Sequence, residues 1–469
     1  MKNSNRQTES ESIYKKTLFQ YIPGILIPAF TNIFLSVGLA RFLSVELYGE
    51  YTYFLSIGTI IISLLSQWLV QSILKYHNSN RDNDNYYSII NILGSLFFVV
   101  FAISSFLWIT SFITQINTWN IYISIMAFCA SQILIGISVS VYSAEYKAKL
   151  VKEINIQQAF LKLGLLVIYL LYRNNYRIDE IFIIFTVANI LSLLTDKIRN
   201  KKEKSIRIIN FEVLFFRRKF HKSTFCKLFT FGLPMTGWFI GTNLMGVGDR
   251  IVLKMFTDME TVGIYSANYS LVSMGIGLLV SPFLQSAHPI IMNYGQDKIN
   301  SKVEVSFFIE KLSRNFLTIS IGIIVCLFFY YEKISILFFG TEYLSGAIVI
   351  PITTLGIFFW NYSMYGHKGL EIMNQPMKMM RFVLYSALLN VVLNFILIPF
   401  VGIKGSALAT LIAYLSYAFM IKINSKNNIN WIINIRHIII CILIFTIPMF
   451  LFKPILDIPI DWLISIIDR

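Results

Sequence analysis

Lys162 is the one cation inside a long apolar stretch, Ile154–Tyr172. Gln158 precedes it by four residues, so its carboxamide and the Lys162 ammonium share one face of a predicted helix. Such a pair suits a ligand that carries negative charge and hydroxyl groups, because polar groups in apolar surroundings need partners. The alternative is that the long Lys162 side chain reaches an aqueous boundary and binds no ligand.

Arg41 and Arg250 each follow a long apolar stretch closely, at matching places in the two halves of the chain. A guanidinium binds a phosphate through two parallel hydrogen bonds, so both arginines are candidates for binding an anion. The alternative pairs Arg41 with Glu46, and Arg250 with Asp249 or Asp258. The sequence leaves both interpretations open.

The remaining candidates each have an ordinary structural alternative. Lys254 is a further cation close to Arg250. Asp249 and His288 are candidates for taking up a proton or an ion, although a buried structural histidine is the commoner role. Carboxamides in apolar stretches serve either a ligand or a hydrogen bond between helices. They include Asn243, Gln285, Asn390 and Asn394.

Long apolar stretches must position these residues. With 56% hydrophobic and 14% charged residues, the chain has too few charges to cover a water-facing surface. About 20 apolar residues cross a bilayer as a helix. We therefore predict an all-α polytopic membrane protein with twelve core transmembrane helices, plus one or two C-terminal ones. The core windows are 17–40, 51–74, two within 85–144 that turn at 115–120, 154–172, 181–195, 228–248, 264–292, 315–339, 343–366, 382–399 and 405–421. The first C-terminal window is 438–452, and 455–467 is the candidate for the second.

The basic residues predict the orientation of these helices. The chain holds 40 Lys and Arg against 25 Asp and Glu, an excess that alone suggests a nucleic-acid binder. With the N-terminus in the cytoplasm, 30 of the 40 cations fall in cytoplasmic segments and 8 in external ones. Cytoplasmic loops of membrane proteins carry an excess of Lys and Arg. The division therefore predicts a cytoplasmic N-terminus and explains the net charge without nucleic acid.

The predicted helices divide into two lobes of six. Residues 1–196 form the first lobe and residues 228–422 the second, with a basic cytoplasmic linker at 197–227 between them. Residues 423–469 hold the additional C-terminal helix or helices. Because six is an even number, both lobes begin on the same side of the membrane and form parallel repeats.

One short pattern occurs at the same place in both lobes. Residues 46–51 read E-L-Y-G-E-Y and residues 260–265 read E-T-V-G-I-Y, so both follow E-x-x-G-x-Y. Glycine permits a tight entry into a helix, and tyrosine is typical of the membrane interface. The pattern favours an internal repeat, and two unrelated interfacial turns are the alternative.

No motif predicts an enzyme, a cofactor or a metal. The sequence has no phosphate-binding P-loop, no G-x-S-x-G turn and no H-E-x-x-H pair. Its cysteines, about a hundred residues apart, favour neither disulfides nor a zinc site. Two parallel lobes instead favour a transporter with alternating access. The alternatives are a membrane glycan polymerase or ligase, which needs a sizeable external catalytic loop, and a scaffold without transport activity.

Three groups of residues resemble a known family. The first is F-G-L-P at 231–234 with Asp249-Arg250 and V-G-I-Y-S-A at 262–267, and the second is A-R-F-L at 40–43 with Tyr48-Gly49. The third is a late hairpin with N-V-V-L-N at 390–394, Ile398-Pro399 and G-S-A at 405–407. Together they resemble the O-antigen and polysaccharide flippases of the multidrug/oligosaccharidyl-lipid/polysaccharide exporter superfamily.

This resemblance implies a MATE-like fold and a function in the bacterial inner membrane. The implied flippase moves an undecaprenyl-pyrophosphate-linked oligosaccharide from the cytoplasmic to the outer leaflet. O-antigen units are the first cargo, and capsule or other surface-polysaccharide units the second. Membrane lipids and a polysaccharide polymerase or assembly proteins are the implied partners. The cations named above would then meet the pyrophosphate, and the carboxamides the sugars.

Two relatives within the superfamily are the alternatives. Lipid II flippases carry several arginines in their first two helices, whereas the windows 17–40 and 51–74 contain none. Ion-coupled multidrug antiporters use acids inside their helices, and the predicted helix interiors contain none.

Overall fold

A computed structural model of the chain describes residues 23–24, 26–77, 84–114, 119–199, 221–294, 300–373, 375–425, 431 and 435–467. Within these ranges the chain is all-α and contains no β-strand, as predicted. Helices are the expected outcome for long apolar stretches, because a helix satisfies its backbone hydrogen bonds within the segment itself.

Six helices form the first part of the described chain. They are α1 (Leu26–Phe42), α2 (Val45–Tyr76), α3 (Asp84–Thr114), α4 (Asn120–Ala144), α5 (Ala148–Tyr172) and α6 (Ile178–Arg199). Each coincides with a predicted window, and α3 and α4 are separated at the predicted turn. The start of the first window and most of the basic linker lie outside the described residues.

Seven helices and one 3-10 turn form the second part. They are α7 (Lys222–Phe256), α8 (Met259–Tyr294), α9 (Asn300–Phe339), the 3-10 turn Thr341–Gly346, α10 (Val349–Ile372), α11 (Pro376–Val401), α12 (Ile403–Ser425) and α13 (Ile435–Ile467). The two C-terminal windows thus belong to one helix, α13, which continues through three prolines.

Several helices extend beyond their predicted windows: α9 begins at Asn300 rather than at 315, and α7 ends at Phe256 rather than at 248. The window 228–248 stops at the first charge, but the helix continues through Asp249, Arg250 and Lys254. The Asp249 carboxylate and the Arg250 guanidinium lie 3.1 Å apart and neutralise each other, so neither charge ends the helix. The prediction that no helix interior contains an acid is wrong for the same reason.

Nine of the described helices are long and apolar enough to cross a membrane. They are α2 to α6, α9, α11, α12 and α13. This number of spans makes the chain a polytopic membrane protein. Membrane crossing by α1, α7, α8 and α10, and hence the total of twelve core spans, stays a prediction.

The described helices belong to two compact units. The 53–243 unit comprises Tyr53–Asn243 and the described residues of Gln20–Asn32. The 244–467 unit comprises Ile33–Thr52 and the described residues from Leu244 onward. The lobe boundaries drawn from the sequence stay a prediction.

Each unit is held by close packing and by hydrogen bonds between its helices. In the 53–243 unit, buried Leu69, Ile89 and Ile133 join α2, α3 and α4 in one apolar cluster. In the 244–467 unit, the fully buried Ala409 and Ala413 give α12 a surface of small side chains. Small residues let helix backbones approach closely, which is how helices associate in lipid.

Candidate functional site

Lys162 lies in the interior of α5. At about 1.5 Å per residue it is roughly 15 Å from the Tyr172 end, half of an apolar membrane thickness of about 30 Å. Its Nζ lies 3.4 Å from the Gln132 side-chain oxygen on α4. The ring centroids of Phe128 and Phe185 each lie 5.7 Å from Nζ, close enough for cation–π attraction. Within the described part of the chain, no carboxylate forms an ion pair with Lys162.

The Gln132 carboxamide that contacts this ammonium is bonded to two further carboxamides. The side-chain oxygen of Gln132 accepts hydrogen bonds from Gln158 Nε2 and Asn189 Nδ2, both at 3.1 Å, in addition to the longer one from Lys162. Gln158 Nε2 also donates to Asn189 Oδ1 at 2.7 Å. We call Gln132, Gln158, Lys162 and Asn189 the amide cluster.

The hydrogen-bond capacity of the amide cluster leaves donors for a ligand. A carboxamide oxygen has two lone pairs, and the two short bonds from Gln158 and Asn189 occupy them. Lys162 has three N–H donors and only the long third contact to Gln132 within the cluster. Its charge is therefore positioned by neutral groups rather than cancelled by an acid.

The sequence identified half of this cluster. The spacing of Gln158 and Lys162 placed both on one helix face, and the structure brings them to the same carboxamide. Gln132 and Asn189 were missed because they lie on other helices. Polar side chains within charge-free windows were the available signal, and it does not say which of them face one another.

Asp249 and Arg250 form a buried ion pair on α7. Arg250 Nη1 donates to the Asp249 carboxylate at 3.1 Å and to the Gly246 carbonyl at 2.9 Å. The Tyr265 hydroxyl donates to the other carboxylate oxygen of Asp249. The Arg250 guanidinium carbon lies 4.7 Å from the centroid of the Tyr269 ring. Of the two predicted pairings of Arg250, the structure therefore shows the one with Asp249.

Arg41 binds the C-terminal end of a helix. Its Nε donates to the Phe338 carbonyl at 3.0 Å, and its Nη2 donates to the carbonyls of Ile336 and Leu337 at 2.9 Å each. These carbonyls lie in the last turn of α9, where the helix dipole favours a positive charge. This is a structural role that neither sequence interpretation of Arg41 included.

The predicted asparagines all donate to other protein groups. On α11, Asn390 Nδ2 donates to Thr410 Oγ1 of α12 at 3.2 Å, and Asn394 Nδ2 donates to the Asn390 carbonyl at 2.9 Å. Both asparagines are fully buried. Asn243 Nδ2 donates to Ser63 Oγ at 2.5 Å, which joins α7 to α2. Of the two predicted roles, these contacts favour hydrogen bonding between and within helices.

Three candidates remain, of which the structure describes the side chain of one. Lys254 lies half-buried in the last turn of α7. Gln285 and His288 lie on α8, and their side chains are outside the described residues. Among the residues that the structure does describe, no group of three metal-binding side chains is placed to hold an ion.

The site residues fall into two sets, one in each unit. The 53–243 unit contains the amide cluster and Asn243. The 244–467 unit contains Arg41, Asp249, Arg250, Lys254, Asn390 and Asn394. In the second set the structure joins Asp249 with Arg250 and Asn390 with Asn394.

Residues 17–294 match the family model described as polysaccharide biosynthesis protein. The chain belongs to this family. The match contains the amide cluster and the Asp249–Arg250 pair. It confirms the resemblance to polysaccharide flippases that the sequence motifs carried.

The chain is similar to two curated proteins of Methanocaldococcus jannaschii. It is 26% identical to uncharacterized membrane protein MJ1068 over 251 residues, which is 52% of this chain and 48% of that protein. It is 30% identical to uncharacterized membrane protein MJ1375 over 173 residues, 37% of this chain and 39% of that protein. The chain thus spans about half the length of these relatives, or less.

Solved structures show the fold family. A lipid II flippase MurJ in an inward closed conformation matches with a TM-score of 0.67 and 16% identity, covering 95% of this chain and 96% of that one. An inward-facing multidrug resistance MATE transporter of the MOP superfamily matches with a TM-score of 0.66 and 9% identity, covering 87% and 97%. The Vibrio cholerae MATE transporter VcmN in its bent form matches with a TM-score of 0.58 and 13% identity, covering 90% and 98%. The chain therefore has a MurJ/MATE-like fold.

Proposed function

We propose that this protein is a flippase for lipid-linked oligosaccharides, and that the amide cluster binds the cargo. The observation that supports the proposal is Lys162, a cation in the interior of an apolar helix, in contact with the Gln132 carboxamide and two aromatic rings. A charge at this depth costs several kcal/mol unless it has partners, so intramembrane cations commonly mark a substrate path.

The chemistry of the cluster suits both parts of such a cargo. The Lys162 ammonium offers N–H donors and positive charge to a pyrophosphate that enters the membrane plane. Gln158 and Asn189 carry carboxamides, which both donate and accept hydrogen bonds and therefore suit sugar hydroxyls. Membership of a polysaccharide biosynthesis family supports a sugar-bearing cargo.

The setting of this function follows from the sequence. We place the protein in the bacterial cytoplasmic (inner) membrane with its N-terminus in the cytoplasm, because 30 of 40 basic residues then fall on that side. The cargo is an undecaprenyl-pyrophosphate-linked O-antigen unit, or a capsule or related surface-polysaccharide unit. Transport proceeds by alternating access to the outer leaflet, where a polysaccharide polymerase or assembly protein takes the unit over.

The test is export of surface polysaccharide by cells that carry Lys162→Ala. We expect surface polysaccharide to fall at least about tenfold, since removal of one charge-assisted contact corresponds to at least about 1.5 kcal/mol. Lipid-linked units should accumulate inside the cell, and the amount of protein in the membrane should stay the same. Lys162→Arg, which keeps the charge, should restore part of the export.

Lys149→Ala is the matched control for this experiment. Lys149 lies on the same helix, is 84% exposed, and its ion pair with Glu153 is long, at 4.0 Å. We expect this variant to export normally. Normal surface polysaccharide in cells with Lys162→Ala would remove the amide cluster from the cargo path.

An ion-coupled multidrug antiporter is the second candidate function. The observation in its favour is Asp249, an acid buried inside α7 where the sequence predicted none. Its bonds to Arg250 and Tyr265 already compensate the charge, which makes it a weaker site for a cationic drug. Drug susceptibility that rises in a strain without this gene, while its surface polysaccharide stays normal, would favour the antiporter.

A further inference from the structure

An apolar groove runs along the outside of the 244–467 unit. It has a volume of about 760 Å³ and is lined by side chains of α9, α10, α12 and α13, with Trp431 at one end. Part of its wall is open, since Phe419 is 63% exposed and Ile442 is 43% exposed. Cavities of about 300–1,000 Å³ are typical of sites for small organic ligands. In a membrane protein, an open apolar groove of this size is accessible to lipid chains.

Side-chain contacts join α9 to α13 at both ends of the groove. Thr318 Oγ1 of α9 lies 3.0 Å from His437 Nε2 of α13. At the other end, Lys333 Nζ donates to the Asp457 carboxylate at 2.8 Å. The groove is therefore a lasting feature of the packing of α9 against α13.

Trp431 forms a solid end to the groove. Its indole N–H donates to Ser425 Oγ at 2.7 Å, and its carbonyl accepts from the Tyr362 hydroxyl at 2.5 Å. It is 4% exposed. The indole cannot move aside without loss of its bond to Ser425, and the bond from Tyr362 holds the Trp431 backbone in place.

The length of the groove corresponds to one leaflet. On α9 its lining extends from Leu317 to Phe329. That distance is about 18 Å at about 1.5 Å per residue, against roughly 15 Å for half of the apolar core of a bilayer. An acyl chain of one leaflet matches this length, whereas the much longer chain of an undecaprenyl lipid does not.

The charged groups at the Trp431 end are mainly positive. Lys422 itself lines the groove. Arg314 lies one turn from Thr318 on α9, and Arg436 is adjacent to His437 on α13, so the Thr318–His437 contact brings both to this end. The next acid along α9 in that direction, Glu310, lies a further turn away. Such a cluster attracts an anionic headgroup.

We propose that the groove binds one acyl chain of an anionic phospholipid, with the lipid phosphate at Lys422. The lipid belongs to the leaflet on the side of the 422–437 segment, which the charge distribution predicts to be cytoplasmic. It is a resident lipid, whose acyl chain fills the groove between α13 and the helices α9, α10 and α12. The proposal does not rest on the flippase function.

The test uses the full-length protein, purified in detergent and washed free of lipid. Phosphatidylglycerol and phosphatidylcholine with the same acyl chains are added separately, and bound lipid is counted by native mass spectrometry. We expect phosphatidylglycerol to bind about fivefold more tightly, the factor that attraction by roughly one cation provides. Lys422→Gln should abolish this preference. Ala418→Phe, which fills the groove, should remove most of the bound lipid.

Two control variants change similar residues elsewhere. Lys149→Gln removes an exposed cation in the other unit, and Ala102→Phe enlarges an exposed apolar position on α3. Both should bind phosphatidylglycerol like the unchanged protein. Equal binding of the two lipids, or unchanged binding after Ala418→Phe in a folded protein, would overturn the proposal. Displacement of phosphatidylglycerol by undecaprenyl phosphate at lower concentration would also overturn it and assign the groove to the cargo chain.

Discussion

Gly49 and Gly263 lie against each other: a β-carbon added to Gly49 would be 2.9 Å from the Gly263 nitrogen. A β-carbon added to Gly263 would be 3.1 Å from the Gly49 nitrogen. The two residues are the glycines of the repeated E-x-x-G-x-Y pattern, and they lie in the first turns of α2 and α8. The E-x-x-G-x-Y pattern therefore marks a place where α2 and α8 touch, and only glycine permits this approach.

The first prediction concerns this contact. Alanine at position 49 would place a β-carbon 1.8 Å from the Met259 carbonyl oxygen, and alanine at position 263 would place one 2.2 Å from the Val45 carbonyl oxygen. Relief requires the helices to move apart, so we expect each variant to lose about 1–3 kcal/mol of unfolding free energy or more. Unfolding in detergent, followed by tryptophan fluorescence, measures the loss.

Gly38→Ala is the matched control for this prediction. Gly38 lies on α1 in the same unit, and an added β-carbon there meets nothing within 4 Å. Alanine is the better helix former by about 0.5–1 kcal/mol, so this variant should be as stable or slightly more stable. If Gly49→Ala behaves like Gly38→Ala, the two helices do not touch at the glycines.

The second prediction separates structure from transport at Arg41. Arg41→Gln removes charge-assisted bonds to three carbonyls of α9, and we expect a loss of about 2–4 kcal/mol of stability. Arg41→Lys should recover less than half, because a single ammonium cannot reproduce the geometry of the guanidinium. The measurement is unfolding of the purified protein.

Arg381→Gln serves as the comparison for Arg41. Arg381 is exposed on α11 in the same unit, so its removal should cost at most about 1 kcal/mol. Unchanged stability of Arg41→Gln together with lost polysaccharide export would contradict a structural role. It would return Arg41 to the list of cargo-binding residues.

The helices could be predicted because their signal is local. A run of apolar residues is readable without knowledge of its neighbours, and the windows for α2 to α6 coincide with the observed helices. The end of α7 could not be predicted in this way. A window that ends at the first charge cannot register that Asp249 and Arg250 neutralise each other and continue the helix.

The candidate site could be predicted only where one helix carries it. The i, i+4 spacing of Gln158 and Lys162 is a property of α5 alone, and it was predicted correctly. Gln132 on α4 and Asn189 on α6 meet them through tertiary packing, which no local pattern encodes. The same holds for Arg41, whose carbonyl partners lie almost 300 residues further along the chain.

The third prediction tests whether Asp249 and Arg250 act as a pair. Asp249→Asn leaves the Arg250 guanidinium buried without its counter-charge, so we expect a loss of about 3–5 kcal/mol. Arg250→Gln should cost a similar amount for the opposite reason. The double variant Asp249→Asn with Arg250→Gln has no unpaired charge and should regain at least about 1 kcal/mol relative to either single variant. Strict additivity of the two losses would show that the charges act separately.

The fourth prediction is a pH dependence at the start of α8. The Asp258 carboxylate lies at the N-cap and accepts the Thr261 backbone N–H at 2.8 Å. Hydrogen bonds from the Thr261 side chain and backbone lower the pKa of Asp258 below its ordinary value. A lowered pKa means that the cap stabilises the folded protein while the carboxylate is ionised. Asp258→Ala should therefore cost about 1 kcal/mol at neutral pH.

Acid should reduce this difference, because Asp258 then becomes protonated in both the folded and the unfolded chain and the advantage of its charged form is lost. The stabilisation is complete above the ordinary pKa of about 3.9 and is lost as the pH falls through the lowered folded-state pKa. Unfolding of the unchanged protein and of Asp258→Ala, compared between pH 7 and pH 3, measures the effect. Asp258→Asn keeps a good N-cap without a titrating group, so its stability relative to Asp258→Ala should not depend on pH. A constant gap between the unchanged protein and Asp258→Ala across this range would mean that the ionised carboxylate does not cap α8.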